Sequence, residues 1–111
     1  FIEKDKETAF FIAESLSTFE KESARGEVVC ADVSEWIQKN EEAFDIVFID
    51  PPFNGDSIYK VCHELAKTAL AKKFIYLEWH SEIDNSLLPE KWDLKKHKKS
   101  GSVFYALCVR C

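Results

Sequence analysis

The chain has 111 residues, of which 46% are hydrophobic and 14% aromatic, and this composition is typical of a globular domain rather than of a disordered or fibrous chain. The formal net charge of -5 is unevenly distributed, because residues 1–50 carry 13 acidic and 5 basic side chains whereas residues 51–111 carry 7 acidic and 10 basic ones. No apolar run approaches the roughly 20 residues that cross a bilayer, and the first residues lack the pattern of a signal peptide, so we expect a cytoplasmic protein.

The first half of the chain predicts two strand–helix pairs. Residues 1–4 have the pattern of a strand end, and a helix is expected from Asp5 to about Ser23. The apolar positions of this helix recur every three or four residues: Ala9, Phe10, Ala13, Leu16 and Phe19. Residues 27–31 predict a short strand, and residues 32–35 have the form of a capping box that opens a second helix.

The second half predicts a buried strand, a helix and three further strands. Residues 45–50 form an apolar run closed by an acid, the pattern of a strand buried on both faces of a parallel sheet. The helix expected over residues 57–70 places five apolar residues on one face: Ile58, Val61, Cys62, Leu65 and Ala69. Strands follow at 73–79, 92–98 and 102–110, and Ser100-Gly101 predicts a hairpin between the last two.

This order of elements predicts an α/β fold in a single domain over residues 1–111. Strands that alternate with helices favour a Rossmann-like, mostly parallel sheet with right-handed crossovers, and the last hairpin adds an antiparallel edge. In such sheets ligands bind beyond the carboxyl ends of the strands. Acidic residues are expected at that edge: Glu3, Asp5, Asp32, Asp50 and Glu78.

The cysteines favour a reducing compartment. Cys30, Cys62 and Cys108 lie in apolar runs, where a free thiol packs as a small hydrophobic side chain. Cys108 and Cys111 are spaced as Cys-x-x-Cys, but the sequence has no second pair at zinc spacing, so we predict no metal site.

The strongest chemical signal is Asp50-Pro51-Pro52-Phe53. Prolines fix φ and have no N–H, so this loop is expected to present carbonyl acceptors beside the Asp50 carboxylate, while Phe53 can stack on a flat ring. Two acceptors that hold the hydrogens of a nucleobase amine favour its pyramidal, nucleophilic form, and methyl transfer would then depend on positioning and electrostatics. The alternative is that the two prolines only terminate the strand.

Residues 44–53 resemble the catalytic motif of S-adenosylmethionine-dependent amino-methyltransferases, and the whole span is similar to the later part of the bacterial small-subunit (16S) rRNA guanine-N2 methyltransferase family. The resemblance implies a class I methyltransferase sheet, a small-subunit rRNA or pre-assembled particle as substrate, and S-adenosylmethionine as cofactor without a metal. It implies that Glu3 binds the cofactor ribose, that Asp32 and the Val33 backbone recognise adenine, and that Asp50 lies at both sites. Asp32 also fits a plain helix N-cap.

A cluster of lysines gives the second half its positive charge: Lys91, Lys95, Lys96, Lys98 and Lys99. Such a run is either a solvated face or an edge that contacts nucleic acid phosphates. We take Lys95, Lys96, Lys98 and Lys99, with Phe53, as the candidate substrate contacts.

One part of the family pattern is expected before Phe1: the first strand and the glycine-rich loop that cradles the methionine portion of the cofactor. The chain has Gly26, Gly55 and Gly101, none of them arranged as such a loop. That strand lies centrally in the family's sheet, so without it two strand edges need other partners. We therefore expect residues 1–111 alone to be catalytically inactive and prone to form a strand-swapped homodimer; micromolar S-adenosylmethionine binding in calorimetry would contradict this.

Three other functions are consistent with parts of the sequence. An acid before Pro-Pro-aromatic also serves adenine N6 methylation in DNA or RNA, and the lysines would serve a non-enzymatic RNA-binding remnant. A receiver domain of two-component signalling also places acids at strand ends, but it has Ser or Thr and then Lys after later strands, where this chain has Glu78-Trp79-His80. Magnesium-dependent labelling by acetyl phosphate would identify a receiver.

Overall fold

The computed structural model describes residues 1–19, 26–51 and 58–111. Helices and strands alternate and are followed by two strands, as predicted: β1 (Ile2–Glu3), α1 (Lys6–Phe19), β2 (Val29–Cys30), α2 (Val33–Lys39), β3 (Phe44–Ile49), α3 (Ile58–Ala66), β4 (Ala71–Trp79), β5 (Trp92–Ser100) and β6 (Val103–Arg110). A 3-10 turn, Asn85–Leu87, lies between β4 and β5. Within the described ranges, no helix is long and apolar enough to cross a membrane.

The described residues form two compact units, Phe1–Lys39 and Asn40–Cys111, and each is described by itself. In the first unit, β1 and β2 pair in parallel, with Ile2 opposite Val29 and Glu3 opposite Cys30. The predicted single domain over residues 1–111 stays a prediction.

Both helices of the first unit begin at the predicted acidic residues. Asp5 Oδ2 accepts hydrogen bonds from the Thr8 hydroxyl at 2.7 Å and the Thr8 backbone N–H at 2.8 Å, and these bonds lower the pKa of Asp5. Asp32 Oδ1 accepts from the N–H groups of Ser34 at 2.9 Å and Glu35 at 3.3 Å. These bonds satisfy N–H groups that have no partner within the first helical turn.

The predicted apolar face of α1 is only partly correct. Ala9 is buried and Leu16 is half-buried, but Phe10 and Ala13 are exposed. The two-residue strands of this unit offer the helix a surface only a few residues wide, which is too narrow to cover the whole stripe. The side chain of Phe19 and the predicted helix end at Ser23 lie outside what the structure describes.

The second unit is built on a mixed four-stranded sheet in the order β3-β4-β6-β5. β3 and β4 are parallel, whereas β4 with β6 and β6 with β5 are antiparallel. The hairpin turns at Gly101, which has the left-handed φ of 61° that favours glycine. The expectation of a mostly parallel sheet is therefore wrong for the described pairings, because the hairpin contributes two of the four strands of this sheet.

α3 covers one face of the second unit's sheet. The buried residues on α3 are Ile58, Val61, Cys62 and Leu65, as predicted, while Ala69 lies beyond the helix and is exposed. On the strands, Ile75, Leu77, Ala106 and Cys108 are buried. One core is thus formed by these apolar side chains, which have a helical spacing on α3 and occupy every second position on β4 and β6.

β3 is not buried on both faces, contrary to prediction. Ile49 is buried, but Phe44, Ile46 and Phe48 are exposed, and Phe48 is 70% exposed. These three residues occupy alternate positions and so share the face opposite to that of Ile49. Within the described part of this unit, helix α3 covers only the other face, and β3 is an edge strand.

Two of the four thiols are core side chains. Burial raises the pKa of Cys62 to about 12 and that of Cys108 to about 11, so both thiols stay protonated and unreactive at neutral pH. Cys30 was also predicted to pack as an apolar side chain, but it is exposed, because β2 is only two residues long and lies in the small first unit.

Arg110, at the end of β6, bonds to the chain that follows α3. Its Nη1 donates to the carbonyls of Thr68 at 2.7 Å and Ala71 at 3.2 Å, and its Nη2 donates to the carbonyl of Ala66 at 3.4 Å. Arg110→Ala is therefore expected to lower the free energy of unfolding by about 2 kcal/mol, the usual size for hydrogen bonds to a charged group. Urea denaturation followed by tryptophan fluorescence measures this loss.

Lys67→Ala is the control for Arg110→Ala, since Lys67 is an exposed cation beside the same turn. It should change the free energy of unfolding by less than about 0.5 kcal/mol. Arg110→Lys should recover only part of the loss, because an ammonium cannot reproduce the fork of a guanidinium. Equal stability of Arg110→Ala and the unchanged protein would contradict the role of Arg110.

Candidate functional site

Two carboxyl groups lie side by side where β3 and β4 end. The parallel register sets Ile49 opposite Leu77, so Asp50 and Glu78 occupy the next position at the carboxyl ends of the two strands. A protonated Glu78 carboxyl is within reach to donate a hydrogen bond to the Asp50 carboxylate. The sheet edge predicted to bind ligands therefore brings two of the five predicted acids of that edge next to each other.

This contact changes the acidity of Glu78. Burial raises the pKa of Glu78, and the charge of Asp50 and the hydrogen bond from Glu78 to Asp50 raise it further. Two ionised carboxylates only accept hydrogen bonds, so a bond between them requires one proton. Glu78 can therefore donate this hydrogen bond to Asp50 only when Glu78 is protonated.

A row of polar side chains continues across the sheet from this pair. Tyr105 of β6 lies opposite Glu78, and Lys98 of β5 lies opposite Tyr105. Beside the row, on the same face, the Tyr76 ring packs against Phe48 and Tyr105, with centroid separations of 5.5 Å and 6.0 Å. The row is thus flanked by packed aromatic rings. The sequence alone did not identify Tyr105 because its neighbours depend on the strand order.

The predicted catalytic loop begins directly after β3. Asp50 is exposed and Pro51 is half-buried, so the carboxylate is accessible from solvent at the end of the strand. Pro52 and Phe53, also predicted as catalytic, lie outside the described residues. The structure therefore describes the first half of this loop.

The acids predicted to bind the cofactor lie at the carboxyl ends of β1 and β2. Glu3 ends β1 and is half-buried, and its Oε1 accepts from the Asp5 N–H at 3.2 Å. Asp32 is exposed and uses Oδ1 for its two bonds to the start of α2, whose first residue, Val33, is 36% exposed. Each carboxylate has a second oxygen, so the pair suits the hydroxyl and amino groups of a nucleoside.

The structure separates four of the five clustered lysines into two groups. Lys95 Nζ lies 2.7 Å from Asp93 Oδ2, which raises the pKa of Lys95, and Lys99 Nζ lies 5.4 Å from the ring centroid of Phe104. Lys96 and Lys98 lie opposite Leu107 and Tyr105, on the face of the sheet that carries Glu78. A register shift between Leu94 and Lys96 sets this arrangement, which sequence spacing did not indicate.

Three comparisons relate the chain to known proteins. Residues 1–109 match the model of a family described as Conserved hypothetical protein 95. Ribosomal RNA small subunit methyltransferase D of Haemophilus influenzae is 31% identical over 110 residues, which are 96% of this chain and 57% of the relative. The protein of that name from Buchnera aphidicola subsp. Baizongia pistaciae is 29% identical over 109 residues, 96% of this chain and 55% of the relative.

A solved structure gives a similar result. The crystal structure of a candidate methylase from Haemophilus influenzae matches with a TM-score of 0.82 and 30% identity, over 99% of this chain and 70% of that chain. The chain spans a little over half the length of the two curated relatives.

Proposed function

Because this chain belongs to the Conserved hypothetical protein 95 family, we propose that the protein is an S-adenosylmethionine-dependent methyltransferase that acts on the N2 amine of a guanine in small-subunit rRNA. The observation that carries the proposal is the exposed Asp50 carboxylate at the end of β3, followed by Pro51 and paired with Glu78. The names of the relatives support rRNA of the small subunit as the substrate.

The site residues act on the amine by accepting its hydrogens. Asp50 offers carboxylate oxygens and Pro51 offers a backbone carbonyl, so the two can hold both N–H groups of an exocyclic amine. Held in this way, the nitrogen presents its lone pair, and the rate enhancement comes from orientation and electrostatics. Pro52 and Phe53 would extend the same loop, with Phe53 stacked on the base.

Glu3, Asp32 and Val33 are the residues we assign to the cofactor, Glu3 to the ribose hydroxyls and Asp32 with the Val33 backbone to the adenine. When bound, S-adenosylmethionine supplies an electrophilic methyl group on a sulfonium sulfur. Asp50, at the end of β3, would accept hydrogen bonds from the substrate amine and orient it towards this methyl group.

The test is methylation by the whole protein with labelled S-adenosylmethionine. Small-subunit rRNA, assembled small-subunit particles and DNA are offered separately, and the modified nucleoside is identified by mass spectrometry. N2-methylguanosine in rRNA or particles is the expected product. N6-methyladenosine would favour the adenine alternative, RNA binding without methylation would favour a non-enzymatic remnant, and activity on DNA alone would refute the proposal.

Lys96 and Lys98 are expected to contribute more to RNA affinity than Lys95 and Lys99. Removing two phosphate contacts from single-stranded RNA lowers the slope of log affinity against log salt by about 1.4. We expect Lys96→Ala/Lys98→Ala to approach that value, because these two side chains share the face of Glu78. Fluorescence anisotropy of labelled rRNA at several salt concentrations measures the slope.

The control is Lys95→Ala/Lys99→Ala, which removes the same charge from the same strand. Its effect should be less than half as large, since Lys95 is bonded to Asp93 and Lys99 lies over Phe104. Equal effects of the two double variants would show that only net charge matters.

A further inference from the structure

We propose that Glu78 is the positioning residue of Asp50 and that the two carboxyls act as one proton-accepting group for the base amine during methyl transfer. The inference rests on the proposed function and adds a residue and a proton path to it. Glu78 acts through Asp50 and need not touch the substrate.

The first argument is geometric. Asp50 and Glu78 follow residues that are opposite each other in the parallel pair of β3 and β4, so the backbone fixes their separation. A protonated Glu78 carboxyl is within reach to donate to the Asp50 carboxylate, and Glu78 is half-buried whereas Asp50 is exposed. Asp50 is therefore the member that a substrate reaches, and Glu78 is the member that holds it from within the sheet.

The second argument concerns charge. Two adjacent carboxylates bind a first proton more tightly than a single isolated carboxylate does. The reason is that this proton removes the repulsion between the two charges and forms a hydrogen bond between them. Burial and the Asp50 charge raise the pKa of Glu78, which agrees with this expectation.

Other titratable groups also lie near Glu78. In the described part of the chain these include Tyr76 on the same strand, His80 two residues after Glu78, Tyr105 on β6 and, one strand further, Lys98 on β5. Burial, with Glu78 and Tyr105 nearby, raises the pKa of Tyr76, so its phenol stays neutral at neutral pH. The charge that raises the pKa of Glu78 is that of Asp50.

The reaction needs such an acceptor. As the nitrogen–methyl bond forms, the methyl–sulfur bond breaks with its electron pair going to sulfur, and the nitrogen becomes positively charged. Asp50 takes the proton that leaves the nitrogen, and the pair holds it in the Asp50–Glu78 hydrogen bond. Because Asp50 is exposed, the proton then passes to water and restores the doubly ionised pair.

The test compares Glu78→Gln with the unchanged whole protein in rRNA methylation across pH. We expect kcat to fall about tenfold, with KM for RNA unchanged. This loss in kcat is smaller than the loss expected when a residue that acts directly as general base is removed. The acid limb of the kcat profile should move to lower pH, because the variant lacks the Glu78 carboxyl, whose pKa is raised. Glu78→Asp should keep the limb near its original position, and Glu90→Gln, an exposed acid before β5, should change neither quantity.

A fall in kcat with an unmoved acid limb would mean that Glu78 is merely structural and would overturn the proposal. A second measurement does not depend on the substrate: NMR titration of the Glu78 carboxyl in the whole protein and in Asp50→Asn. The midpoint should fall in Asp50→Asn, and an unchanged midpoint would refute the coupled pair. Failure of the proposed function would instead appear as absence of rRNA methylation by the unchanged protein.

Discussion

Asp50→Asn is expected to reduce kcat for rRNA methylation by about a thousandfold, within the range found when a group that accepts a proton in the transition state is removed. Asn has nearly the same shape as Asp, but its amide nitrogen donates hydrogen bonds and its oxygen is a weak base. The variant can therefore hold the substrate while it fails to accept the proton. Single-turnover kinetics with the whole protein separates this chemical step from RNA binding.

Asp45→Asn is the matched control for this experiment. Asp45 lies near the start of the same strand, is exposed, and pairs with Lys72 at a distance of 3.8 Å. Surface ion pairs of this kind contribute little, so Asp45→Asn should leave kcat within about twofold of the original. If Asp50→Asn retained near-normal kcat, the assignment of Asp50 as the group that receives the amine proton would be wrong.

Much of this site could be predicted from the sequence, because its signals are local. Asp50 closes an apolar strand, Asp5 and Asp32 precede helices, and each of these patterns depends on neighbouring residues. The partnership of Asp50 with Glu78 depends on register between strands 28 residues apart, which no local pattern specifies. The division of the lysines depends in the same way on a bulge in β5.

The second large effect is expected to be a loss of stability on substitution of a buried residue in β4. Leu77 is 0% exposed, and Leu77→Ala should lower the free energy of unfolding by about 3 kcal/mol, since it removes buried methyl groups and leaves a cavity. Chemical denaturation of the 111-residue chain, followed through the buried Trp79 and Trp92, gives the change in stability. The transition should move to lower denaturant without a change in slope.

Leu87→Ala makes the same chemical change at a residue that is 49% exposed. Its effect should stay within about 1 kcal/mol, because less apolar surface is lost and solvent already fills the space beside it. Similar losses at Leu77 and Leu87 would contradict the core described for the second unit.

The sequence patterns predicted the order of helices and strands correctly. They did not predict which faces of the strands are buried. Residues 44–49 are apolar throughout, so their sequence cannot distinguish a strand covered on two faces from one with an exposed face. The hairpin was predictable because Gly101 marks its turn, but its insertion beside β4 depends on contacts between distant residues. The burial of β3 and the place of the hairpin both depend on neighbours that lie far away in the chain.

The position of β6 between β4 and β5 also constrains how the protein folds during synthesis. β5 leaves the ribosome before β6 but pairs with β6 and not with β4, so β4 waits for the later strand of the hairpin. Until residues 103–110 have been made, one edge of β4 is unpaired and the side chains of Ile75 and Leu77 lack a completed sheet around them. In the interval between synthesis of β4 and of β6, this open strand edge is exposed to pairing with other chains.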